Sequence, residues 1–167
     1  RSSSSAASDV YKRQDEHMVM LRSGEEKFEF SGINEKALPS LLRGFSAPVE
    51  LNIDLGDEAL EHLACSDSDP FNRWEAMQRL VTSHILERID RPEIARADGI
   101  TSAIEATLNN PDLDPAFIAE ALILPSEAVI GDHMKLVDVE GLFDARHGLR
   151  RDILTALKPE LMQQYEA

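Results

Sequence analysis

The amino-acid sequence predicts an α+β fragment, in which the remnant of a few-stranded antiparallel β-sandwich precedes an all-α domain of the helical-repeat-like, α-solenoid kind. Three observations predict it. Apolar residues recur with period two, or in short runs, from Val19 to Leu55, and with helical period after Gly56. Six helical segments then follow one another with connections of a few residues, the pattern of antiparallel pairs stacked in series. The strand-like part is too short to form a sandwich alone, since that architecture takes about seven strands and about 100 residues. Either helices cover this sheet or part of it is missing.

In the strand-like part, Val19-Met20-Leu21 is separated from Phe28-Glu29-Phe30 by Ser23-Gly24-Glu25, a hairpin connection. Pro39 and Pro48 bracket Leu41-Leu42-Arg43-Gly44-Phe45. A proline has no N–H to give a central ladder, so this piece is expected to be an edge strand or an extended connection. The clearest strand is Val49 to Leu55. Val49, Leu51, Ile53 and Leu55 point one way and Glu50, Asn52 and Asp54 the other, because successive side chains alternate across a pleat.

After Gly56, Asp57 is expected to cap a first helix over Glu58 to Ala64. Asp69 caps a second, with Pro70 at the first helical position, where a missing N–H costs nothing. Trp74, Met77, Val81, Ile85 and Ile89 form its apolar stripe, and Pro92 limits it. A third helix carries Ile100, Ala103, Ile104, Thr107 and Leu108 and stops at Asn109-Asn110-Pro111. A fourth starts at Asp114-Pro115 and presents Ile118, Ala121 and Leu122; a fifth, capped by Ser126, covers Val129 to Val137 despite Gly131. Asp138 caps a sixth, which runs through Leu142, Leu149, Ile153 and Leu157 until Lys158-Pro159 interrupts it. No sequence repeat of ~34 or ~40 residues is visible, so a regular repeat array is not expected.

The composition narrows the function. Apolar residues make up 43% and charged residues 29% of the 167, the balance of a globular chain. Lys plus Arg number 17 against 31 Asp plus Glu, a net charge of −14, which repels nucleic-acid phosphates and anionic lipid headgroups. No run of about 18 apolar residues and no secretory leader pattern is present. A single cysteine, Cys65, has no partner for an internal disulfide, which suits a reducing compartment such as the cytoplasm. Residues 1–14, RSSSSAASDVYKRQ, have no periodicity and no apolar face, and are read as a disordered cloning or sequencing scar. The alternative is a native disordered tail.

No motif carries catalysis. His17, His62, His84, His133 and His147 contain no i, i+4 pair with an adjacent Glu, the spacing that puts two imidazoles and a base on one helix face. One cysteine excludes a thiolate zinc site. Gly44-Phe45-Ser46-Ala47-Pro48 has proline where a nucleophile elbow needs glycine, and no phosphate-cradling glycine loop exists. No catalytic, cofactor-binding or metal residue is assigned. His84 and His147 are weighed as ligand or base and read as a boundary residue and a solvated helix residue. Asp67, Asp69 and Glu75 lack the glycine and terminal glutamate of a calcium loop and are read as helix capping. Arg150-Arg151 is read as a solvated or ion-pairing face, Cys65 as an unreactive filler between acidic neighbours, and Trp74 as a core anchor.

Two segments resemble a known family. Leu38-Pro39-Ser40-Leu41-Leu42-Arg43-Gly44-Phe45-Ser46-Ala47-Pro48-Val49 and Asp67-Ser68-Asp69-Pro70-Phe71-Asn72-Arg73-Trp74-Glu75-Ala76, with Leu124-Pro125-Ser126, are similar to the bacterial aminopeptidase N family. The resemblance covers about residues 17 to 167. It implies a zinc exopeptidase of four domains, of which residues 15–56 would be the terminal strands of the immunoglobulin-like third and residues 57–167 the first helices of the helical fourth. The family's His-Glu-x-x-His zinc motif and catalytic tyrosine belong to a preceding domain and have no counterpart here, so zinc would be held by the parent protein and the fragment would be inactive. The implied partners are peptide substrates and the remaining domains of the same polypeptide. Two rivals stand beside it: a free-standing acidic helical-repeat module that binds a protein, and a hydrolase built on His84 or His147.

Overall fold

The computed structural model describes residues 16–32, 37–92 and 97–166, which leaves the stretch read as a disordered scar outside the described residues. The chain divides into two compact units, Arg1–Ala37 and Leu38–Ala167. In the first, the chain bends at Ser23 and Gly24, where the Ser23 hydroxyl donates to the Glu25 carbonyl at 2.6 Å and the Arg22 N–H donates to the Glu26 carboxylate at 3.0 Å. The His17 and Phe30 rings lie 5.5 Å apart. The predicted reversal is therefore present, but its arms carry no ladder.

Among the described residues no strand forms, so the β-sandwich expectation for Val19–Leu21, Phe28–Phe30 and Val49–Leu55 is not met by a ladder here. The physical reason is that a strand is defined by a partner backbone, and the described chain supplies none. The alternation itself survives in the second unit. Leu51, Ile53 and Leu55 are half-buried while Asn52 and Asp54 are exposed, so the extended segment turns one face onto the helices, except at its start, where Val49, expected on that face, is 59% exposed. A small cavity of about 30 Å³ separates that face from Leu60, Leu63 and Ala76, room for about one water. The Arg79 guanidinium ties the segment down by donating to the Ile53 carbonyl at 2.5 Å.

The rest of the second unit is helical: α1 Asp57–Ser66, α2 Pro70–Asp90, α3 Asp98–Leu108, α4 Pro115–Ala121, α5 Glu127–Gly131, α6 Val139–Ala156 and α7 Lys158–Glu166. The caps explain the boundaries. Asp69 accepts from the Asn72 N–H at 3.0 Å, Asp114 from Ala116 at 2.8 Å, Ser126 from Val129 at 3.3 Å and Asp138 from Gly141 at 3.0 Å, each satisfying an amide that the first turn leaves orphaned. Three expectations need correction. Asp57 lies inside α1, whose first bonds are accepted by the Gly56 carbonyl from Ala59 and Leu60. Helix α5 stops at Gly131 instead of reaching Val137, glycine being a weak helix former, and the chain turns so that the Val137 side chain packs 3.6 Å from where a Gly131 Cβ would sit. Lys158-Pro159 ends α6 and also opens a seventh helix, because proline is harmless in a first turn.

Helix α2 is the axis, packing against α1, α3, α4 and α6. Its buried stripe is Ala76, Met77, Leu80, Val81 and Ile85, and Ile85, Ile130 of α5 and Leu149 of α6 are 0% exposed where the helices converge. The stripe of α3 is the predicted one, with Ile100, Ala103, Ile104, Thr107 and Leu108 all buried. Gly148 sets the α2–α6 approach. A Cβ there would meet Arg88 Nη2 at 2.7 Å, and Arg88 reaches across α6 to Asp152 at 2.5 Å. Helices of 5 to 21 residues account for the missing sequence period.

Two outcomes are expected. Ile85→Ala should lower unfolding stability by about 2–5 kcal/mol in urea titrations, from lost transfer free energy and a residual cavity. His84 on α2 is half-buried and its Nε2 has no hydrogen-bond partner among the described residues. Burial first, then Arg88, pushes its imidazole below the ordinary value of 6.5, against the opposing pull of Glu87, Asp152 and Asp57. The unfolded chain then binds the proton more readily than the folded one, so stability should fall as pH drops through 6.5 toward the lowered folded value. Melting temperatures of His84→Gln between pH 5 and 8 should show a shallower acid slope than those of the parent chain.

Candidate functional site

The densest polar cluster joins the proline-framed segment to the start of α2. Arg43 pairs with Asp67 and donates to Ser68 Oγ at 2.7 Å and Ser40 Oγ at 2.9 Å. The Asp67 side chain is 1% exposed and that of Arg43 21%. The second Asp69 oxygen, beyond its capping role, accepts from the Gly44 N–H at 2.9 Å. Asn72 Nδ2 donates to Ser40 Oγ and to the Leu41 carbonyl, both at 2.9 Å. These bonds hold a short 3-10 turn, Arg43–Phe45, in which Gly44 (φ 61°) and Phe45 (φ 55°) are left-handed, as is Leu42 (φ 56°) just before it. Leu and Phe in that region cost roughly 1–2 kcal/mol each, which the cluster offsets. The expected edge strand or extended connection is thus a latched turn, because the fixed φ of the flanking prolines matters less than the carboxylates that seize its amides and guanidinium.

A groove of about 750 Å³ runs along α2, between residues 54–60 and the α4–α5 connection. Leu55, Trp74, Leu86 and Leu124 supply apolar floor, and Asp54, Asp57, Glu75 and Glu120 stand along its walls. The α4–α5 connection is clamped from two sides: Gln78 donates to the Ile123 carbonyl at 2.9 Å, and Arg146 Nε to the Pro125 carbonyl at 2.8 Å.

The residues singled out in the sequence scatter. His147 stacks on Phe143 at 3.9 Å, with Nδ1 2.9 Å from the Phe143 carbonyl, while His17, His62 and His133 are exposed. Ser83, next to His84, gives its hydroxyl to Asp57 and not to the imidazole. Arg150 and Arg151 are exposed. Cys65 packs against the core, and burial, with Glu61 adding to it, raises its thiol pKa against the pull of Arg73. That is the environment of an unreactive thiol. Trp74 corrects the core-anchor expectation: it is half-buried, continues a row of rings with Phe71 (5.6 Å) and Phe45 (Phe71 to Phe45, 4.2 Å), and lines the groove. Arg73 is buried in its place at 6% exposure, its pKa lowered by burial and supported by Cys65 and Asp67. Arg43, Asn72, Gln78 and Arg146 were not singled out; each acts on a partner 21 or more residues away, which local spacing does not reveal. Among the described residues no group of three His, Cys, Asp or Glu comes together that could hold a metal ion, so the described residues do not fit zinc.

Residues 57–167 match the family described as a domain of unknown function (DUF3458_C) with ARM repeats. The chain belongs to this family. Residues 3–54 match the companion family, a domain of unknown function (DUF3458) with an Ig-like fold, and that match begins within the serine-rich stretch. Aminopeptidase N of Escherichia coli is 31% identical over 90% of this chain and 18% of its own length. That of Caulobacter vibrioides is 35% identical over 90% of this chain and 18% of its own length, and that of Haemophilus influenzae 30% identical over 84% and 17%. The chain therefore corresponds to a region of aminopeptidase N and spans under a fifth of those relatives. The crystal structure of Legionella pneumophila aminopeptidase A in complex with aspartic acid superposes with TM-score 0.64 at 25% identity, over 74% of this chain and 14% of that one. The matched family is described with ARM repeats, where no repeat was legible in the sequence, and the helices here vary in length from 5 to 21 residues.

Within this DUF3458_C chain the latch is the feature most exposed to test. Arg43→Ala leaves the buried Asp67 carboxylate without its cation and is expected to cost about 3 kcal/mol in urea unfolding. The Arg43→Ala/Asp67→Ala pair should recover part of that loss, and strict additivity of the two single changes would show that the pair is uncoupled.

Proposed function

We propose that this chain is a non-catalytic, structural region of a zinc-dependent aminopeptidase that releases N-terminal amino acids from peptides. The observation that carries the reading is the similarity to aminopeptidases N over 84–90% of the chain. In this reading, residues 15–56 are terminal strands of an immunoglobulin-like sandwich whose remaining strands supply the ladder partners that Val49–Leu55 lacks here. Residues 57–167 begin the helical wall of the substrate cavity, and the Arg43 latch ties the proline-framed segment to the start of α2. Zinc is held elsewhere in the parent polypeptide, where it activates water for attack on the first peptide bond, and the compartment is the cytoplasm. Among the described residues no helix is long and apolar enough to cross a membrane.

The experiment is an assay of the 167-residue chain with zinc and an alanine-linked chromogenic substrate, run beside the parent polypeptide. Turnover is expected from the parent alone. Hydrolysis by this chain that disappears in His84→Ala or His147→Ala would return catalysis to these residues and overturn the reading.

A further inference from the structure

We propose that the groove along α2 is a docking site for a cationic, partly apolar peptide segment. Its volume of about 750 Å³ lies within the ~300–1,000 Å³ of sites that enclose small ligands, and a trough of that size takes a few residues of an extended chain. The walls decide the charge. Asp57 accepts from Ser83 at 3.3 Å, but the carboxylates of Asp54, Glu75 and Glu120 have neither a hydrogen-bond donor nor a cation of the described chain on them. The one arginine of the lining, Arg79, donates to the Ile53 carbonyl and keeps its positive charge, so the four carboxylates leave the lining net negative by three charges. Three uncommitted negative charges around an apolar floor are complementary to Lys or Arg side chains that alternate with apolar ones: the cations stay at the wet rim while the apolar groups cover Leu55, Trp74 and Leu124. A second copy of this chain is a poor occupant, because each carries −14.

The proposal concerns binding by this chain and is read without any hydrolysis, so its failure leaves the peptidase reading standing and the reverse also holds. Trp74 is the only tryptophan of the sequence and lines the groove, so its emission reports occupancy. The full 167-residue chain is titrated with an acetylated ten-residue Lys/Leu alternating peptide, and separately with its Glu/Leu counterpart. The Lys/Leu peptide should shift Trp74 emission saturably and the Glu/Leu peptide should not. Glu75→Gln/Glu120→Gln, nearly isosteric and checked for unchanged helicity, should weaken binding about three- to tenfold. Glu105→Gln/Asp144→Asn removes the same charge from exposed positions outside the groove and should leave affinity unchanged. The proposal is overturned by the absence of a saturable change, by equal response to the Glu/Leu peptide, or by equal weakening in the two double variants, which would mean diffuse attraction to an acidic protein.

Discussion

Everything in the helical unit leans on α2, a helix that has to be buried along its length while its first turn is held by carboxylates. Twenty-one residues long, it packs on α1, α3, α4 and α6, so no single apolar stripe is wide enough to serve all its neighbours. The solution is a mixed surface. Ala76, Met77, Leu80, Val81 and Ile85 face the common core, while Arg73 and Thr82 are buried polar residues and Trp74 is moved to the groove. The buried Arg73 guanidinium has its pKa lowered by burial, with Cys65 and Asp67 pulling the other way, and its Nε and Nη2 have no hydrogen-bond partner among the described residues.

Asp67 and Asp69 do more than cap. One carboxylate pairs with Arg43 across the α1–α2 loop, and the other bonds both the α2 amide of Asn72 and the amide of Gly44. The two sequence segments that resemble aminopeptidase N, residues 38–49 and 67–76, are thus the two halves of one interlocked structure. Their motif residues are explained by this mutual grip: Arg43 for a buried carboxylate, Gly44 for a left-handed turn, Asn72 for two acceptors of the opposite segment. The groove along the same helix adjoins the latch through the ring row of Phe45, Phe71 and Trp74, with acidic residues in its lining.

Much of the helical half was legible because helix formation is local. Asp69-Pro70, Asp114-Pro115, Ser126 and Asp138 cap where their side chains can reach amides two or three residues away, and the stripe of α3 follows from spacing alone. The strand-like half was legible only in part. The alternation of Leu51, Ile53 and Leu55 was correct about which side chains turn inward, but a strand also requires a second backbone at hydrogen-bonding distance, and that is not a property of the segment itself.

By itself the sequence determined the change of period near residue 56, the caps that start the later helices, the acidity of the surface and the kinship of two segments with aminopeptidase N. The tertiary structure alone decided that these two segments grip each other, that Arg43–Phe45 is a latched left-handed turn, that Arg73 and not Trp74 goes inside, and that unpaired carboxylates converge on one groove. The division has a physical cause. Caps and periodicity act within about one helical turn, whereas a salt bridge between residues 24 apart, or a groove built from residues 54 to 133, exists only once the helices have packed.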